Sequence, residues 1–106
     1  MVLVDSSVWI AYFKGDIQSQ IINNLLDSNT LCINDLILAE LIPSIQHKNE
    51  FELRDLLLEI TAIPLDIRWH EIIEMQTINL KNGINKVGIA DLVIAQQVKN
   101  SQVSLY

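Results

Sequence analysis

The chain has 106 residues, of which half are hydrophobic and 19% charged, with a formal net charge of −6 at pH 7. That length supports one compact domain and is too short for two, and the balance of apolar to charged residues excludes a disordered chain. A single cysteine, Cys32, excludes an internal disulfide and a multi-cysteine zinc site, and suits a reducing cytoplasm. No apolar run approaches a membrane span, and Asp5 interrupts the start too early for a secretion signal.

In chain order, residues 1–5 (MVLVD) form a continuous apolar run typical of a buried parallel strand. Ser6 and Ser7 are the expected N-cap of a helix over 8–13, followed by a turn at Lys14, Gly15 and Asp16. From Asp16, the residues Ile17, Ile21, Ile22, Leu25 and Leu26 recur at helical spacing, and 30–33 is a second strand. Asn34 or Asp35 caps a helix over 36–42, which Pro43 either kinks or ends. An amphipathic helix over 50–60 buries Phe51, Leu53, Leu56, Leu57 and Ile60 and solvates its acids. Residues 62–65 are then an edge strand, because of Pro64. A helix over 66–82 stops at Gly83, a helix over 89–99 follows Gly88, and 102–106 is a fourth strand. Apolar strands alternating with helices imply an α/β fold with a parallel sheet, whose ligands gather at the carboxyl ends of the strands. Asp5 lies at such an end.

Three acids stand apart from other charges. Asp5 is the only charged residue before Lys14, Glu40 the only one between Asp35 and Lys48, and Asp91 the only one between Lys86 and Lys99. Helices apolar on every side are normally buried, and a buried unpaired carboxylate costs several kcal/mol. Convergence of the three on one Mg²⁺ explains the pattern, since a hard cation takes oxygen ligands and keeps several waters. Zinc or iron calls for more His and Cys than this chain contains. Each acid also has a plainer explanation. Asp5 would cap the helix after the first strand, Asp91 would favour the dipole at a helix start, and Arg54 or Arg68 would pair with Glu40. His47 and His70 lack metal-binding spacing and are expected at the surface. Trp9, Trp69 and Tyr12 are expected in the core or at a subunit contact, and Cys32 in the core.

The segment Val4-Asp5-Ser6-Ser7-Val8-Trp9, the glutamate in Leu38-Ala39-Glu40-Leu41, and Gly88-Ile89-Ala90-Asp91-Leu92-Val93-Ile94-Ala95 together resemble PIN domains. Their order and spacing are similar to the compact VapC-type ribonuclease toxins of type II toxin–antitoxin systems. The resemblance covers essentially the whole chain and implies a three-layer α/β/α sandwich with a mostly parallel central sheet. It implies an endoribonuclease dependent on Mg²⁺ or Mn²⁺, with metal held by Asp5 and Asp91 and assisted by Glu40. Ser6 would hold the first carboxylate and Ser7 contribute. It further implies a homodimer and a cognate antitoxin whose basic tail suits the acidic surface. Lys14, Lys81 and Lys86 are candidates to hold the RNA backbone. The family usually continues past a strand resembling 103–106 into a Thr-x-Asp segment that supplies a further acid. Residues 1–106 are therefore expected to be a single PIN-like domain lacking that end. The alternative is a catalytically degenerate PIN-like module that binds a protein partner without cutting RNA.

Overall fold

The computed structural model describes residues 1–15 and 19–106. The expected positions of Asp16 and Ile17 in the turn and the second helix lie outside the described residues. By compactness the chain divides into two units, Met1–Pro64 with Val103–Tyr106, and Leu65–Gln102.

The first unit holds a four-stranded sheet, all parallel, in the order β3-β2-β1-β4. Its strands are β1 (Val2–Leu3), β2 (Leu31–Ile33), β3 (Thr61–Ala62) and β4 (Ser104–Leu105). Val2 pairs with Leu31 on one side and Ser104 on the other, while Cys32 pairs with Thr61. The central strands are buried, as apolar runs without alternation require, and β3 and β4 are exposed edges. The third strand starts before Ala62, at Thr61, and past Ala62 the Ile63 N–H donates to the Ile33 carbonyl at 2.8 Å.

Four helices belong to this unit: α1 (Ser6–Phe13), α2 (Ser19–Asp27), α3 (Asp35–His47) and α4 (Phe51–Glu59). Asp5, not a serine, is the N-cap of α1; its carboxylate accepts the Ser7 N–H at 3.3 Å. Buried Asn34 caps α3 by accepting the Ile37 N–H at 2.8 Å. Pro43 neither ends that helix nor breaks it away from His47. Helices α2 and α3 both end with an asparagine in the left-handed region, Asn29 (φ 55°) and Asn49 (φ 59°). In each, paired reverse hydrogen bonds close the last turn, Thr30 to Leu25 and Glu50 to Ile45 being the longer ones. The core comprises Leu3, Val4, Trp9, Ile22, β2, Ile37, Leu41, Ile45 and Leu57. Helix α4 is less amphipathic than its sequence implied: Leu57 alone is buried, while Phe51 and Leu56 are exposed. Trp9 stacks with its own helix, 5.9 Å edge-on from Tyr12 and 5.8 Å from Phe13.

The second unit pairs α5 (Trp69–Lys81) with α6 (Ile89–Ser101). Buried Gln96 of α6 fastens the start of α5: it accepts the Arg68 N–H, donates to the Arg68 carbonyl, and donates to Glu71 at 2.9 Å. That anchor explains why the helix begins at Trp69 and not at Asp66. Gly83 (φ 72°) ends α5 as expected, with Ile84 N–H reaching the Asn79 carbonyl at 2.8 Å. Gln76 holds the following loop by donating to the Val87 carbonyl at 2.8 Å. Trp69, expected in the core or a subunit contact, is 57% exposed. Among the described residues no helix is long and apolar enough to cross a membrane.

Asn34→Ala should lower the urea midpoint by the equivalent of ~1–2 kcal/mol, because the cap bond goes and a buried N–H is left unpaired. An unchanged midpoint would show that the cap does not hold α3. Burial pushes the Cys32 thiol up, against a smaller downward pull from the N-terminal ammonium. The unfolded thiol loses its proton near pH ~8.5. The stability Cys32 contributes is thus full below that pH and is lost as pH rises toward the folded value. Wild type should therefore lose stability more steeply above pH ~9 than Cys32→Ala, in paired denaturation series.

Candidate metal centre

Asp5, two residues past β1, and Asn34, the residue after the adjacent parallel strand β2, each cap the helix that follows. Helices α1 and α3 therefore leave the same edge of the sheet and pack on each other. Six residues beyond its cap, about 9 Å along the axis, α3 carries Glu40. Ser6, the first residue of α1, closes the gap by donating its hydroxyl to Glu40 Oε2 at 3.2 Å. Ser7 turns the other way, donating its hydroxyl to Asp5 Oδ2 at 2.6 Å. The two serines thus divide the work differently from the expectation: Ser7 holds the first carboxylate and Ser6 holds the glutamate. The reason is local. In an N-cap arrangement the Asp5 side chain folds over the second helical residue, not the first.

Asp5, Ser6, Ser7 and Glu40 are brought together in the first unit. Asp91 belongs to the second, in the first turn of α6, with Oδ2 near enough to Gly88 that a β-carbon built there would lie 3.7 Å away. The expectation that these acids are buried is corrected: Glu40 and Asp91 are exposed and Asp5 is half-buried. Helix α3 buries one stripe (Ile37, Leu41 and Ile45), and Glu40 sits at the edge of that stripe, exposed and beside Ser6. No desolvation cost therefore calls for a shared cation, and Asp5 has a capping role that needs no ion.

What remains is the pairing pattern. Among the described residues no Lys or Arg forms an ion pair with any of the three acids. Arg54 pairs with Asp55 at 3.0 Å and lies over the Phe51 ring, and Arg68 sits 3.6 Å from both Asp66 and Glu71. Nor does any hydrogen bond among them reach Oδ1 of Asp5 or Oε1 of Glu40. Each carboxylate thus has one oxygen tied to a serine and one free. This donor set suits a hard divalent cation that retains waters, although no group of three His, Cys, Asp or Glu gathers among the described residues. His47 and His70 are exposed, as expected, and Cys32 is buried in β2.

Helices α1 and α3, with Glu50, enclose a cavity of about 320 Å³ lined by Ile10, Phe13, Lys14, Glu40, Leu41, Ser44, Ile45, Lys48 and Glu50. Sequence reasoning had selected Lys14 but missed Lys48. The available signal was spacing: Lys48 lies eight residues after Glu40, close to the same helix face.

The PIN domain family model matches residues 2–105, and no curated protein matches the chain. The match spans almost every residue and agrees with the α/β architecture and its parallel sheet. It brings a nuclease-type fold, of a kind that typically works with divalent metal ions. The chain belongs to the PIN domain family.

Proposed function

We propose that this protein is a Mg²⁺- or Mn²⁺-dependent endoribonuclease whose ion is held by Asp5, Glu40 and Asp91. The observation that carries the reading is the pair of serine-held carboxylates in a PIN fold, Asp5 just past the carboxyl end of β1 and Glu40 in the second turn of α3. Asp91 joins them by its place in the family motif and by lacking a basic partner among the described residues.

The chain's own residues contribute orientation. Ser7 ties down Asp5 Oδ2 and leaves Oδ1 for a ligand, while Ser6 does the same for Glu40. Because Asp5 is also the cap of α1, its position is fixed by backbone geometry before any ligand arrives. A bound divalent ion supplies Lewis-acid polarisation of the scissile phosphate and a water of lowered pKa. The expected products carry a 5′-phosphate.

The finer reading is the toxin of a type II toxin–antitoxin pair, acting in the cytoplasm and dimeric, with a cognate antitoxin. A net charge of −6 supports it, because such a surface complements a basic inhibitory segment. A second reading, a degenerate module that binds a protein without cutting RNA, is favoured by the absence of a three-acid group among the described residues. Calorimetric titration separates the two, since a module without an ion site takes up no Mg²⁺.

Cleavage of RNA should require Mg²⁺ or Mn²⁺ and stop with chelator. Asp5→Asn should abolish it while leaving the urea midpoint nearly unchanged, because asparagine also caps helices. Cleavage that survives both chelator and Asp5→Asn would place the chemistry elsewhere. Ser6→Ala and Ser7→Ala should each weaken Mn²⁺ binding by about 10-fold or more, as loss of an outer-shell partner does. Full affinity in both would show that the hydroxyls serve only the helix start.

A further inference from the structure

Helices α1 and α3 run side by side away from the serine-held acids. Their two ends differ in charge. Ser6 meets Glu40 at one end, where Glu40 also lines the cavity; Lys14 and Lys48, the C-cap residues of α1 and α3, line it toward the other. From Ser6 to Lys14 and from Glu40 to Lys48 each helix advances by about 12 Å. Both lysines are exposed, and among the described residues neither makes an ion pair.

The wall between these ends is apolar. Leu41 and Ile45 are buried beneath it, Phe13 is half-buried, and Ile10 is 44% exposed. A volume of about 320 Å³ lies at the small end of ligand sites. Two unpaired ammonium groups beside an apolar wall with an aromatic ring match one nucleotide of a single strand: phosphate on the lysines, base on the ring. A continuous duplex does not fit this arrangement, because its bases are stacked on one another.

Resting on the nuclease reading, we propose that this cavity is a nucleotide subsite for single-stranded RNA. Lys14 and Lys48 hold a phosphate flanking the one that is cut, and Phe13 and Ile10 receive the unstacked base. The acids of the metal centre and the lysines of the subsite thereby define a strand path along α1 and α3. Glu50, also in the lining, repels any phosphate placed away from the lysines.

The test is equilibrium binding of a fluorescent single-stranded RNA 10-mer, followed by anisotropy over a salt series, with cleavage blocked by Asp5→Asn in every chain. Lys14→Gln and Lys48→Gln should each reduce the slope of log K against log salt by ~0.7, and the double variant by ~1.4. Lys99→Gln, in a different cavity, should leave the slope unchanged. The same RNA annealed to its complement should compete weakly. Unchanged slopes in the lysine variants overturn the proposal. So does tight binding of an oligolysine peptide that both substitutions strengthen, which would make Glu40 and Glu50 the recognising groups. Failure here is distinct from failure of the nuclease reading. A wild-type chain that cuts RNA while the lysine variants bind normally loses only the subsite. A chain that never cuts but whose lysine variants lose their salt dependence keeps the subsite and loses the chemistry.

Discussion

Parallel pairing of β1 with β2 is the constraint on which the first unit depends. Because both strands point the same way, both chain exits lie at one edge of the sheet, and each exit residue turns into a helix. Asp5 and Asn34 make those turns with side-chain hydrogen bonds to their own helix starts, so helix direction is fixed within two residues of the strand end. Two helices launched from neighbouring strands must pack together, and Ser6 and Glu40 are the polar groups left facing each other where they do. The carboxyl edge also collects a third tie. The Asp5 N–H donates to the Tyr106 carbonyl at 2.9 Å and the Tyr106 N–H to the Leu3 carbonyl, so β4 braces the residue at the centre of the site.

Much of this was legible in the residues themselves. The apolar runs at 1–5 and 30–33 lacked alternation and gave buried parallel strands. Gly83 marked a helix end by the conformation only glycine adopts cheaply. Other features were hidden for identifiable reasons. Asn29 and Asn49 end helices in the same left-handed conformation, but asparagine also starts helices and forms turns, so its meaning depends on which side is already helical. Helix α4 carries leucines on more than one face, and periodicity alone did not reveal that only Leu57 meets the core. Gln96 is invisible to pattern reading: a polar residue amid apolar ones, it is buried because the Arg68 backbone and Glu71 satisfy it from 25 or more residues away.

The acids illustrate how a correct selection can rest on an incorrect reason. Isolation from other charges singled out Asp5, Glu40 and Asp91, on the argument that isolation in apolar sequence means burial. In the fold Glu40 is exposed at the rim of the contact between α1 and α3, so water screens it and no large desolvation cost exists to be relieved. Isolation has a different consequence. With no lysine or arginine in an ion pair with them among the described residues, the free oxygens of Asp5 and Glu40 stay available to an external cation, and serines, which are neutral, orient them without competing for that charge. Neutral orientation of this kind is what a metal ligand needs and what an ion pair would deny.

The most direct measurement is a crystal structure grown with Mn²⁺, read by its anomalous scattering. The account predicts one dominant peak, ~2.1 Å from carboxylate oxygens of Asp5, Glu40 and Asp91, with Ser6 and Ser7 still on the opposite oxygens. A strong peak elsewhere on the molecule, with Asp5 engaged only by its helix and Asp91 remote from it, would contradict the account.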